Sequence, residues 1–161
     1  MSNEALDVTT AEQAHEVVGG FILRCSVMNY RTGQMIAHWF CSDEREKLLS
    51  YVVHNIDFKA KRDIVIERVT RYHPAADELV ALINDADKVM QRRDLAVHGL
   101  LSGAPGGPYS IKSFSAARFL RSDGEHDILP VAELPMWSAK ATSISEELVR
   151  LTDRLNRKPD N

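Results

Sequence analysis

The chain has 161 residues, 44% of them hydrophobic and 27% charged, the balance of an ordinary globular protein large enough to bury one core. A net charge of −3 supplies no overall positive field, so any nucleic-acid binding has to be local to a cleft rather than spread over a basic face. The apolar runs are cut by charges before they reach bilayer length, and Met1-Ser2-Asn3-Glu4 opens no basic or apolar leader, so neither a membrane span nor a signal peptide is expected.

In chain order, Thr9 or Thr10 caps a long first helix, with Glu12 in the first turn where a carboxylate suits the dipole. Ala14, Val17, Val18, Phe21, Ile22, Cys25, Met28, Met35, Ile36 and Trp39 recur behind it at helical spacing. Gly19, Gly20 and Gly33 weaken this helix and are expected where a neighbouring helix comes close. Cys25 falls on the apolar stripe as a small buried hydrophobe. With Cys41 it makes two thiols, which suits a reducing cytosol and provides no zinc cluster. Ser42-Asp43-Glu44 starts a second helical segment whose face is Leu48, Leu49, Val52, Val53 and Ile56. Asp57-Phe58 interrupts it before Ile64, Val65, Val69 and Tyr72 resume, so residues 44–72 are either one kinked helix or two. A short strand at Ile64-Val65-Ile66 is the alternative there, disfavoured by its charged flanks.

His73-Pro74 breaks the chain, and Leu79, Leu82, Ile83, Ala86, Val89, Met90 and Val97 then line a further helix that Gly99 ends. Residues 102–108 are a loop by composition; they lack the Lys-Ser/Thr of a phosphate-binding P-loop. Apolar runs on either side of Ser122-Asp123-Gly124-Glu125 predict a β-hairpin within about 109–132. Pro135 opens a last helix, about 135–158, with the face Ala141, Ile144, Leu148, Leu151 and Leu155, and with Arg150, Arg154, Arg157 and Lys158 toward its C-terminus. The expected architecture is all-α: one domain over 1–161, a four- to five-helix bundle with the hairpin inserted before the last helix.

The chemistry concentrates in Gln91-Arg92-Arg93-Asp94-Leu95-Ala96-Val97-His98-Gly99. At 3.6 residues per turn, Leu82, Ala86, Val89, Arg93 and Val97 share one stripe, which aims Arg93 at the core, where a guanidinium needs an anionic or carbonyl partner. Glu16 on the first helix is one candidate for that partner. Arg92 points away and reads as a solvated surface charge, Asp94 lies at the stripe's edge, and His98 sits at the negative end of the helix dipole. Taken singly, Arg93 is half of a buried ion pair and His98 a helix cap. His15, His38, His54 and His73 share no spacing, and Trp39 and Trp137 read as packing anchors or dimer contacts. Tyr109 and Phe114 are candidates for stacking on bases, or for packing the hairpin on the helices.

Together, Arg93, the polar Asp94 directly after it, and His98 with four residues between it and Arg93 resemble the Arg-x4-6-His signature of the HEPN superfamily. The place of the motif, near the end of the helix before the last in an all-helical chain, is similar too. His98-Gly99 fits the pattern of small bacterial members, and Asp94 stands where Asn is usual. The resemblance covers most of residues 10–155 and leaves the hairpin outside the shared core. It implies a metal-independent ribonuclease without cofactor, or a nucleotide- or RNA-binding relative that has lost cleavage. It further implies a homodimer with two motifs facing across a cleft, and a toxin or phage-defence role whose antitoxin partner the sequence does not name. In that setting Arg93, Asp94 and His98 are the catalytic candidates, and Arg92 and Tyr109 the substrate-binding ones.

Overall fold

The computed structural model describes residues 11–40, 45–71, 75–98, 116–120 and 126–156; within these, the side chains of 11, 45–48, 98, 116–128, 155 and 156 are not described. The chain is mostly helical: α1 (Ala11–Phe40), α2 (Arg45–His54), α3 (Phe58–Ile64), α4 (Ala76–His98) and α5 (Leu134–Asn156), with short strands β1 (Ala116–Leu120) and β2 (His126–Pro130) before α5. It divides into two compact units, residues 1–25 with 91–139 and residues 26–90 with 140–161; the division falls inside α1, α4 and α5.

In the first unit the apolar stripe of α1 does what its spacing dictates, and Ala14, Phe21 and Cys25 are fully buried. β1 and β2 pair antiparallel, from Ala116 opposite Pro130 to Leu120 opposite His126. The connecting residues 121–125, with the expected Asp123-Gly124 turn, lie outside the described residues. A two-stranded ladder is marginal by itself, and this one is anchored where β2 leaves it. Leu129 is fully buried, and a 3-10 turn (Val131–Glu133) then carries Val131 and Leu134 into the core and opens α5.

In the second unit, Met28, Thr32, Met35 and Ile36 continue the stripe of α1, and Thr32 Oγ1 donates to the Met28 carbonyl at 3.0 Å. Residues 44–72 hold two helices rather than one. The break falls at Asp57, whose extended backbone and side-chain acceptance from Ala60 N at 2.7 Å cap α3. No strand forms at Ile64-Val65-Ile66. Instead α3 widens into a π-helical turn (Val65–Val69), closed by Thr70 N donating to the Val65 carbonyl at 3.1 Å, and Val65 and Val69 are both fully buried.

The glycines divide. A Cβ at Gly33 would meet Val53 Cγ1 at 3.5 Å and His54 Nε2 at 3.6 Å, so α2 does come close there, and Tyr30 stacks on His54 beside it with centroids 4.4 Å apart. Gly19 and Gly20 are exposed and a Cβ at either would meet nothing within 4 Å, so the expectation that they admit a neighbouring helix is not met among the described residues.

Ion pairs set the registers. Arg62 joins Asp63 at 2.9 Å and Asp87 at 3.0 Å, holding α3 to α4. Arg150 and Arg154 reach Glu78 at 2.9 and 3.2 Å while Lys140 reaches Asp85 at 3.0 Å, so α5 runs antiparallel to α4. The two arginines expected to favour their own helix end therefore serve the start of α4. Ala141, Ile144, Leu148 and Leu151 form the buried face of α5 as its spacing predicts.

Candidate functional site

The stretch from Gln91 to His98 forms the last two turns of α4. These turns stay helical because Leu95-Ala96-Val97 are good helix-compatible residues, with no glycine or proline before position 99. The buried positions of α4 are Leu79, Ile83, Ala86, Val89 and Ala96; Leu82 is half-buried and Val97 is 40% exposed. Arg93 follows Val89 by four and precedes Ala96 by three, so it does leave the helix on the buried side. Its end does not stay there: the side chain is 32% exposed, and Nη1 donates to Asp94 Oδ1 at 2.9 Å. Asp94 is itself 57% exposed.

Arg93 therefore pairs with its sequence neighbour and not with Glu16. The physical reason lies in α1. Cys25 on α1 feels both Arg93 and Asp94, and Glu16, nine residues before it, is two and a half turns away, on the opposite, exposed face. Burial pushes the Cys25 thiol up to about 12, with Arg93 pulling it down and Asp94 pushing it up. The two charges of the ion pair thus act on the thiol in opposite directions, with burial the larger influence.

Arg92 is not the solvated surface charge that helical angles alone predict. Its guanidinium carbon lies over the Trp137 ring, 5.4 Å from the centroid, and both residues are half-buried. Trp137 follows the fully buried Leu134 by three residues in the first turn of α5, so the core fixes the helix turn that carries the ring. Trp137 was legible in the sequence only as a packing anchor or a dimer contact. The signal that would have placed it is the antiparallel run of α5 along α4, which sets the start of one helix by the end of the other.

His98 is the last residue of α4, and its side chain is not described; Gly99 and Tyr109 lie outside the described residues. Among the described residues, no group of three or more His, Cys, Asp or Glu side chains is placed to hold a metal ion, and no helix is long and apolar enough to cross a membrane. The geometry defines an all-α protein with an arginine–aspartate pair and an aromatic-held arginine on the closing turns of α4. No protein-family model, curated protein or solved structure matches the chain.

Proposed function

We propose that the chain is a metal-independent ribonuclease of HEPN type, acting as a homodimer. The observation that carries this is the arginine–aspartate pair, part-exposed at 32% and 57%, one turn before His98 on a helix that is unbroken from Ala76. Arg93 and His98 are five residues apart on that helix, well over a quarter-turn around it, so one chain does not readily aim both at one phosphate. A two-fold partner supplies the complement. His98 of one protomer takes the proton of a ribose 2′-OH as the 2′-oxygen bonds to phosphorus. The P–O5′ bond breaks, and the second His98 delivers a proton to the leaving 5′-oxygen. Arg93 stabilises the charge gathering on the phosphorane oxygens, held in orientation by Asp94. The products are a 2′,3′-cyclic phosphate and a 5′-hydroxyl. A role in toxin action or phage defence fits such an activity.

A second reading, a non-catalytic module that binds RNA or a nucleotide, is favoured by one feature: Asp94 answers the charge of Arg93, in a chain of net charge −3. The test is incubation of purified protein with single-stranded RNAs in excess EDTA. Cleavage to cyclic-phosphate ends, lost in His98→Ala and in Arg93→Ala, supports the ribonuclease. Activity of the wild type that falls as excess His98→Ala is mixed in, each mixed dimer lacking one of the two histidines, supports the dimer. Binding to RNA that stays intact supports the second reading, and cleavage by His98→Ala at the wild-type rate sinks the first.

A further inference from the structure

Arg92 and Arg93 are adjacent in sequence, and the structure treats them differently. Arg93 spends its Nη1 donor on Asp94 at 2.9 Å. Arg92 has no carboxylate partner among the described residues; what it has is the face of Trp137, 5.4 Å from guanidinium carbon to ring centroid. Those two modes leave different chemistry available. A carboxylate uses the N–H donors that an anionic ligand would need, and it cancels the charge. An aromatic face carries no carboxylate oxygen to occupy the N–H donors and leaves the charge of the guanidinium intact. The three residues 92–94 carry a net charge of one positive, and it resides on Arg92.

The surroundings add to this. Arg92 and Trp137 are both half-buried, so part of the guanidinium's hydration is already removed, yet neither is sealed from a ligand. The ring stands on the first turn of α5 beside the fully buried Leu134, so it is held by the core and not by a loop. A side chain restricted in this way loses less freedom on binding than a free surface arginine does. The planar fork of an arginine matches two oxygens of a tetrahedral phosphate, which an ammonium does not.

We infer that Arg92, held against Trp137, is the phosphate-binding group of this site, and that Trp137 is its positioning residue. The ligand class is a phosphate group, taken here as a phosphodiester of single-stranded RNA; that choice rests on the ribonuclease reading, whereas the phosphate chemistry does not. Arg93 then remains with Asp94 until the reacting phosphate displaces or shares that carboxylate, and the two arginines have separate tasks, one of holding and one of charge stabilisation.

The experiment uses the full chain with Trp39→Phe, which leaves Trp137 as its sole tryptophan. Trp137 emission is titrated with a 2′-O-methyl oligoribonucleotide, which has no 2′-OH to attack, and separately with pyrophosphate. Affinity for the labelled oligonucleotide is measured in parallel by anisotropy, with thermal melts checking that each variant folds. The expected result is a saturable change in Trp137 emission that Arg92→Gln abolishes, with affinity reduced about tenfold in Arg92→Gln and in Trp137→Leu. Trp137→Phe, which keeps an aromatic face, retains most of the affinity, and Arg92→Lys, which keeps the charge and loses the fork, does not. A response to pyrophosphate but not to the oligonucleotide supports the phosphate site and assigns it to a free phosphate. Wild-type affinity for both ligands in Arg92→Gln overturns the inference, as does a folded Trp137→Phe that binds as poorly as Trp137→Leu. Because the oligonucleotide cannot be cut, binding without any ribonuclease activity on ordinary RNA defeats the ribonuclease reading alone.

Discussion

Lys61 brings an ammonium group into a fully buried position, where its partner among the described residues is the Asn29 side-chain oxygen at 2.7 Å, which is polar but uncharged. Burial lowers its pKa, and the nearby Asp57 only partly opposes that. A base whose folded pKa lies below its unfolded one favours the folded state in its neutral form. Its stabilising contribution is therefore present above the unfolded value, about 10.4, and is lost as pH falls through the folded value. Urea midpoints of the wild type should accordingly rise from pH 8 to pH 10.5 relative to those of Lys61→Met. At pH 7 the Met variant should be as stable or more so, since a well-packed apolar side chain removes the cost of burying the charge. A Lys61→Met variant that is less stable at pH 7, with an unchanged alkaline slope, would show that the Asn29 contact outweighs burial. Cys25 offers a second check at this scale. With its thiol pushed up to about 12 and fully buried, only about one molecule in ten thousand is thiolate at pH 8. In a Cys41→Ser background, Ellman's reagent should label native Cys25 at least about a hundredfold more slowly than the urea-unfolded chain.

Glycine placement tests the element scale. Gly19 and Gly20 lie in the interior of α1 with open space around them, so Gly19→Ala and Gly20→Ala should each stabilise by up to about 1 kcal/mol through helix propensity alone. Gly33→Ala is the informative contrast. Its Cβ would sit at ordinary contact distance from Val53 and His54, so the gain in propensity should survive there only if α2 stays in place. Thermal melts of the three single variants measure this, and a loss of stability in Gly19→Ala would mean that α1 has a neighbour on that face. Helices of this kind were legible in the sequence wherever the apolar residues kept a strict period, as in α1 and α5, although Thr32, Ala37 and Ser145 are buried there too and Val17, Val18, Ile22 and Trp39 are only half-buried. The break at Asp57 was visible as an interruption, but the period alone did not say whether the helix kinks or ends, because that depends on one hydrogen bond to Ala60. The π-helical turn left no sequence signal at all: Val65 and Val69 are an ordinary i, i+4 pair, and the extra residue shows only in the Thr70 to Val65 bond. In α4 the period placed Arg93 on the correct side and misjudged Val97, because the last turn of a helix is buried only if something packs against it.

For the molecule as a whole, the net charge is −3, and Arg62, Lys140, Arg150 and Arg154 are each paired with a carboxylate, which sets those four cations aside from a polyanion. The sequence sets Arg92, Arg93, Asp94 and His98 on one stretch of α4. It could not assign their partners, because Trp137 reaches Arg92 only through the packing of α5 on α4, and Glu16 misses Arg93 only because α1 turns it outward. That assignment has a measurable consequence. Binding to single-stranded RNA releases about 0.7 counterions per phosphate contacted. If Arg92 is the one arginine per protomer that takes a phosphate, a homodimer should show a slope of log K against log salt of about −1.4, from two contacts at about 0.7 each. If Arg93 were equally available, four contacts would give about −2.8. Asp94→Asn removes the carboxylate that occupies Arg93 while keeping its size, so this variant should bind RNA more tightly and move the slope from the first value toward the second. It should do so while cutting RNA no faster than the wild type if, as proposed, the same carboxylate orients Arg93 toward the phosphorane. A slope near −2.8 in the wild type, unchanged in Asp94→Asn, would mean that the Arg93–Asp94 pair does not restrain the arginine in solution, and the division of labour between Arg92 and Arg93 would fall with it.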